Sequence, residues 1–324
     1  ISYIILFSLT LFFSKALAVP TYVDSFSVGG QEANTHGLTF SSDGTRVYIV
    51  GHSQDTVYEY LLDTPWDISS ITSGLNGELH IVTAGTDSSN VSDPRDIKFN
   101  TNGTKLFVLD RVVARVYEWS LATAWDVTTG SYTDGNFFDV DDIDSKANSF
   151  TFSLDGTKMF ILGHETTGTV YQHSLTTGFD ITTAAYTGKS VVISTEEETP
   201  EGLEFSRDGT QMFVVGDENN SIFQYSLTTA WDITTASYTS GDSYSVSSQQ
   251  SSESSEDYIE DPQEIEFSSD GSKMFLVDKI DHPGYGSGST IYEYTLSCYY
   301  GVVNCMDPTS DKDDVASVEA QTES

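Results

Sequence analysis

Short apolar runs, separated by turn residues, recur in a fixed order along most of the chain. An apolar stretch ends at a Phe, as in Gly202-Leu203-Glu204-Phe205. An Asp-Gly or Asn-Gly turn follows, a strong hairpin signal because Gly accepts positive φ. Next comes a near-continuous apolar strand: Val47–Val50, Leu106–Leu109, Met159–Leu162, Met212–Val215 and Met274–Val277. A run apolar at every position predicts burial on both faces. A third strand alternates, as in Val57-Tyr58-Glu59-Tyr60 and Ile222-Phe223-Gln224-Tyr225. A connector follows: Pro65-Trp66-Asp67-Ile68, Ala124-Trp125-Asp126-Val127, Gly178-Phe179-Asp180-Ile181 and Ala230-Trp231-Asp232-Ile233. Its aromatic is predicted to fill the gap between neighbouring units. Its Asp is predicted to accept backbone N–H bonds. A fourth strand, such as Lys189–Ser194, completes the unit.

The turn is the clearest marker. Phe40-Ser41-Ser42-Asp43-Gly44-Thr45 returns at Phe99, Phe152, Phe205 and Phe267, and these Phe residues lie 59, 53, 53 and 62 residues apart. Four strands at a fixed period predict an all-β fold, a β-propeller of four-stranded antiparallel blades. Five copies supply three strands each, and Val23–Val28 stands where a fourth strand for the last blade is needed. The arithmetic predicts five blades, with the ring closed by an N-terminal strand, provided that no blade follows Cys305.

Phe-Ser-x-Asp-Gly-Thr followed by Met-Phe-x-Val resembles the repeats of the TolB-like, lactonase-like and WD-repeat-like propeller superfamily. Joined to Tyr225-Ser226-Leu227-Thr228-Thr229-Ala230-Trp231-Asp232-Ile233-Thr234-Thr235, it resembles a repeat frequent in exported proteins of marine bacteria and in phage tail-associated proteins. The resemblance covers about residues 21–297. It implies the fold and is almost silent on function. The Trp-Asp pair lies in a loop and lacks a Gly-His partner, so it differs from the WD-repeat signature.

The chain has 324 residues, with 49 acidic and 14 basic side chains and a formal charge of −35. Such a surface repels nucleic acid and anionic lipid, which need clustered Lys and Arg. It suits a salty exterior, with calcium binding as the rival reading. Ile4–Phe13 and Ala16-Leu17-Ala18 read as a signal peptide over residues 1–18, with an uncleaved anchor as the alternative. No initiator Met precedes them, so the chain reads as a fragment. Residues 19–305 are assigned to the propeller and 306–324 to a disordered tail or linker. Cys298 and Cys305 are the two cysteines, and an exported chain would join them in a small disulfide loop rather than expose two thiols.

Propellers gather two sets of loops on one face, those leading into the innermost strands and those between the second and third strands. Here the first set holds His36, Arg95, Asn148, Glu201 and Gln263; the second holds His52, Arg111, His164, Asp217 and Lys279. These positions differ between copies while the scaffold stays constant. The candidate ligand-binding residues are therefore His36, His52, Arg95, Arg111, His164, Glu201, Asp217 and Lys279. Asp139, Asp141, Asp142 and Asp144 form the densest carboxylate cluster and are the candidate metal ligands. They lack the EF-hand pattern, since Asp144 and Phe150 stand where Gly and Glu are required. Ser243–Asp261 is poor in apolar residues and reads as a mobile insertion.

No Ser-His-Asp arrangement, phosphate loop or basic patch is legible. The pattern predicts a secreted or cell-surface, non-catalytic module that binds a glycan, peptide or protein, with no resident cofactor and calcium the exception to consider. It would be a monomeric propeller within a larger surface protein, without a membrane span once the signal is removed. The alternative is a lactonase-like hydrolase with a metal at the channel mouth, held by Glu201, Asp217, Asn148 and Asp278.

Overall fold

A computed structural model describes residues 20–72, 74–81, 91–164, 168–247, 259–279 and 288–296. The segment read as a signal peptide, the cysteines expected to pair (Cys298 and Cys305) and the segment read as a tail lie outside the described residues. Within them the chain forms five four-stranded antiparallel sheets. After β1 (Thr21–Ser27), the first blade is β2 (Thr35–Phe40), β3 (Arg46–Gly51), β4 (Thr56–Leu61) and β5 (Leu75–His80). The second is β6 (Pro94–Phe99), β7 (Lys105–Asp110), β8 (Arg115–Leu121) and β9 (Gly130–Asp139). The third is β10 (Ala147–Phe152), β11 (Lys158–Gly163), β12 (Thr169–Leu175) and β13 (Ala184–Val192). The fourth is β14 (Pro200–Phe205), β15 (Gln211–Gly216), β16 (Ser221–Leu227) and β17 (Ala236–Ser245). The last holds β18 (Pro262–Phe267), β19 (Lys273–Asp278) and β20 (Thr290–Thr295).

The fourth strand of that last blade is β1, which pairs antiparallel with β20 from Thr21–Thr295 to Ser27–Thr290. The ring thus closes with a strand from the other end of the chain, as the strand count predicted. The innermost strands β2, β6, β10, β14 and β18 neighbour one another around a central channel. The continuous apolar runs lie in the second strands, and residues such as Ile49, Val108, Ile161, Val214 and Leu276 are fully buried. Each is covered by the sheet of the next blade, which explains apolar residues at every position.

The connector aromatics sit where the sequence placed them. Trp66 packs 5.1 Å from Phe40 of its own blade and 6.2 Å from Phe275 of the preceding one. Trp231 lies 5.4 Å from Phe205 and 6.1 Å from Phe160 in the same way. Each ring lies flat on the Gly of its own turn; a Cβ on Gly44 would stand 2.3 Å from Trp66. Asp67, Asp126, Asp180 and Asp232 each cap a 3₁₀ turn by accepting the N–H two residues on.

Neighbouring blades are also latched by polar contacts. Lys105, Lys158 and Lys273 donate from Nζ to the connector carbonyls of Phe179, Trp231 and Trp66, at 2.8, 3.0 and 2.7 Å. Glu59 and Glu293 accept the N–H of Val127 and Ile68, at 3.1 and 2.9 Å. These contacts correct the alternating pattern expected of the third strand. Glu59, Gln172, Gln224 and Glu293 are buried because their polar ends reach the next blade or remain inside the interface. The fourth strand of the third blade starts at Ala184, earlier than Lys189. The expected insertion is also shorter, since β17 runs to Ser245 and both Val246 and Ile259 are fully buried. Residues 248–258 lie outside the described residues.

Candidate functional site

The two predicted loop sets meet on one face. In four blades the loop after the second strand donates to the lead-in loop: His52 to Asn34, Arg111 to Asp93, Asp217 to Thr199 and Lys279 to Asp261, at 3.2, 3.0, 3.3 and 3.2 Å.

In every blade a carboxylate staple accepts loop N–H groups, from the lead-in side in three blades and from the end of the second strand in two. In the first blade it is Glu32, which accepts the N–H groups of Asn34, Ser53 and Gln54 at 2.9, 3.0 and 3.1 Å. In the third, Asp144 accepts Lys146 N–H at 2.9 Å; in the fourth, Glu197 accepts Thr199 and Asn219 N–H at 3.1 and 3.4 Å. In these blades the second strand ends in Gly51, Gly163 or Gly216, and a Cβ there would stand within 2.5 Å of the carboxylate side chain. In the other two blades the second strand ends in Asp110 or Asp278. Asp110 accepts Asp93 N–H at 2.9 Å and Val113 N–H at 2.7 Å; Asp278 accepts Asp261 N–H at 2.9 Å. Tight loops leave backbone N–H groups that a short acidic side chain satisfies.

This staple corrects two sequence assignments. Asp144 is buried and accepts the Lys146 N–H, whereas Asp141 and Asp142 are exposed; Asp139 pairs with Arg115 Nε at 2.5 Å. The four aspartates therefore do not surround one point. Nor do Glu201, Asp217, Asn148 and Asp278. Asp278 serves the staple, the Asn148 amide donates to Pro200 O at 3.0 Å, and Asp217 accepts from Thr199 Oγ1. Among the described residues no three His, Cys, Asp or Glu side chains are arranged to hold a metal ion. The metal-at-the-mouth arrangement does not fit these residues.

The second residue of each innermost strand rings the channel mouth: His36, Arg95, Asn148, Glu201 and Gln263. Each stands at a register shift, between Thr35 and Gly37, Pro94 and Asp96, Ala147 and Ser149, Pro200 and Gly202, and Pro262 and Glu264. A bulge adds one residue and re-aims its side chain. His36 Nδ1 is within hydrogen-bonding reach of Gln263 Oε1 and lies 3.1 Å from Arg95 Nη1. Burial, and then the Arg95 and Lys279 charges, hold its pKa well below the ordinary value, so it stays neutral. Arg95 is anchored to Asp93 by Nε and Nη2, both at 3.0 Å.

The second loop set forms an outer ring. His52 is exposed, with Nδ1 3.6 Å from Asp93 Oδ1, and Lys279 Nζ lies 3.3 Å from Asp261. Burial and the Arg111 charge lower the pKa of His164. Arg111 is part-buried, and its pKa is lowered by burial and by the charge of Arg95. No carboxylate lies within ion-pair distance of it among the described residues. Burial lifts the Glu201 carboxyl to about 7, against the opposing pull of Arg95, Lys279 and Arg111. The structure thus brings Arg95, Arg111, Lys279, His36 and Glu201 into one electrostatic field. It leaves His52 at the rim and Asp217 committed to Thr199.

Sequence reading passed over Gln263 as a site residue, and with it the charges inside the channel: Asp96, Lys98, Glu204, Glu264 and Glu266. They stood inside strands read as apolar runs ending at Phe. The usable signal was the one applied to the loops, disagreement between copies at matching positions.

No family model matches the chain, and no curated protein matches it. Solved structures match it over part of its length at low identity. One is a candidate 6-phosphogluconolactonase from Bacteroides uniformis, at 14% identity and a TM-score of 0.39, covering 65% of this chain and 55% of that one. A protein from Lactobacillus plantarum has 16% identity and a TM-score of 0.42, covering 63% and 54%. A functionally unknown protein from Desulfotomaculum acetoxidans has 12% identity and a TM-score of 0.45, covering 76% and 66%. The chain thus spans little more than half the length of the first two.

Proposed function

We propose that this propeller is a binding module whose upper channel mouth recognises an anionic group on a glycan or peptide. One observation carries the reading. Arg95 and Arg111 share one electrostatic field at the mouth, where Glu201, Asp93 and Asp144 act on Arg111 without forming an ion pair with it among the described residues, in a chain that has 49 acidic and 14 basic side chains. Two part-buried guanidiniums repel each other, and a carboxylate, sulfate or phosphate between them relieves that cost with bidentate hydrogen bonds. The N-terminal sequence read as an export signal and the acidic composition support a secreted or cell-surface setting, and the charge of −35 disfavours nucleic acid as the partner. Calorimetric titration with uronate-containing and neutral oligosaccharides tests the reading. Binding should be confined to the anionic set and lost in Arg111→Ala. Equal affinity for both sets would sink it.

A second reading rests on Glu201. A carboxyl held near 7 beside two guanidiniums and a neutral His36 has the properties of a general acid–base on a carboxylate- or phosphate-bearing substrate, such as a lactone. It would require no metal. Lactone hydrolysis by the wild type that is abolished in Glu201→Gln, with anion binding retained, would favour this reading over simple binding.

A further inference from the structure

The chain has only 14 basic side chains, and most of those described are matched by a carboxylate. Lys98, inside the channel, places Nζ 2.8 Å from Glu266 Oε1 and 3.3 Å from Glu204 Oε2. In three blades the second strand opens with a cation that pairs with a Glu of the third strand. Arg46 pairs with Glu59, Lys105 with Glu118 at 3.0 Å and Lys273 with Glu293 at 2.6 Å. The acid holds one register position, opposite Tyr48, Phe107 or Phe275. The fourth blade has Gln211 and Gln224 at the two places, so both charges are missing together. The third blade breaks the rule. It keeps Lys158, but Gln172 stands opposite Phe160 where the acid belongs. Gln172 Oε1 accepts Ile233 N–H at 3.3 Å, as Glu59 and Glu293 accept Val127 and Ile68 N–H. The scaffold bond is retained and the negative charge is not.

Lys158 Nζ donates to Trp231 O at 3.0 Å and has no carboxylate within ion-pair distance among the described residues. A second unmatched cation joins it. Arg207 is exposed at the third position of its Asp-Gly turn, where the other copies carry Ser42, Thr101, Leu154 and Ser269. Its Nη1 donates to Ser269 O at 3.3 Å, and it too lacks an ion pair among the described residues. Lys158 and Arg207 line one pocket of about 330 Å³, between the third and fourth blades on the face opposite the mouth. Leu154, Trp231 and Asp155 also line it. Asp155 is already committed. Its Oδ1 accepts from Ser153 Oγ, Thr157 N–H and Thr157 Oγ1 at 2.7, 2.9 and 2.8 Å. Asp43, Asp208 and Asp270 do the same in their own turns. The lining thus carries two positive charges against one negative, in a chain of formal charge −35.

We infer that this pocket between blades binds a sugar that carries a sulfate or phosphate ester, independently of the mouth. Either ester presents three free oxygens. A guanidinium grips two in its planar fork, and an ammonium acts as a point charge on the third. A carboxylate has only two oxygens, which the guanidinium alone engages. Exposed Leu154 and half-buried Trp231 give the sugar ring an apolar wall.

Calorimetric titration of the full chain with N-acetylglucosamine 6-sulfate, N-acetylglucosamine 6-phosphate and N-acetylglucosamine tests the inference. It is run on the wild type and on Arg111→Ala, which removes the unmatched cation of the mouth. In both proteins one ester should bind about tenfold or more tightly than the unesterified sugar, and the tighter ester names the group. Arg207→Ser installs the residue of the first and fifth blades at an exposed position. It should weaken ester binding about tenfold without changing the melting temperature. Gln172→Glu supplies the acid that three other blades carry. It should pair with Lys158, keep the bond to Ile233 and weaken ester binding about tenfold in a protein at least as stable as the wild type. A Lys158 that only latches the blades would leave binding unchanged in that variant. Equal affinity for ester and sugar, absence of saturable ester binding, or full affinity in Arg207→Ser or Gln172→Glu would overturn the inference. Ester binding that disappears in Arg111→Ala would assign the ligand to the mouth and overturn it as well.

Discussion

Gly51 carries no side chain because a Cβ there would stand 2.1 Å from the Asn34 carbonyl oxygen and 2.5 Å from Cγ of Glu32, whose carboxylate arm fills the same space. The second blade solves the same problem in reverse, with Asp110 in place of the glycine. A carboxylate can thus reach the loops from either side, but not from both. Glu32→Gly should lose about 1 kcal/mol by stranding the part-buried N–H groups of Asn34, Ser53 and Gln54. Gly51→Asp alone should destabilise by crowding two carboxylates. The double variant should recover part of the loss, as read by urea unfolding, because the Asn34 carbonyl still opposes a Cβ at position 51. Additive losses in the double variant would disprove the exchange.

His173 takes the place that Tyr60, Trp119, Tyr225 and Tyr294 hold in the other blades. It is fully buried, and burial lowers its pKa to about 4. A histidine whose folded pKa is depressed contributes stability that is present above its unfolded value of about 6.5 and lost as pH falls toward the folded value. Wild type should lose on the order of 3 kcal/mol through this group between pH 6.5 and 4. His173→Tyr should flatten that slope and change stability little at pH 8. An unchanged pH dependence of the melting temperature would contradict this account.

Ring closure depends on contacts between chain ends. Deleting Thr21–Ser27 exposes the edge of β20 and removes the outer strand of the last blade. An open, unpaired edge is an aggregation template. The truncated chain should lose its single cooperative transition, and a peptide of residues 20–28 added in trans should restore it. Lys273→Met should weaken the same seam more mildly, because Lys273 Nζ loses both Trp66 O and Glu293 Oε1, at 2.7 and 2.6 Å.

The connector divides into a large and a small contribution. Trp125→Ala removes a ring packed 5.1 Å from Phe99 between two blades and should cost about 3–5 kcal/mol. Asp126→Ala removes a cap that accepts from Thr128 N–H, at 3.1 Å, and from Thr128 Oγ1, and should cost about 1 kcal/mol. Thermal unfolding of the two variants should rank them in that order. The reverse order would show that the cap, not the ring, holds the connector.

The repeat alone determined the blade count, the closing role of the first strand, the inter-blade place of Trp66 and its equivalents, and the capping role of Asp67. Each follows from local chemistry repeated in register: a Gly that permits the turn, an Asp that caps a neighbour two residues away, an apolar run buried on both faces. The face that carries His36, Arg95 and Glu201 was legible for the same reason, since loop position follows strand order. Only the tertiary structure decided which charges meet. Lys98 contacts Glu204 and Glu266 across residues that are far apart in sequence, because ring closure turns equal positions in different blades into neighbours across an axis. Asp144 and Asp278, which look like ligands in a list of carboxylates, became scaffold once the loops were folded. Sequence spacing records what lies along a strand; the channel is built from what lies opposite it.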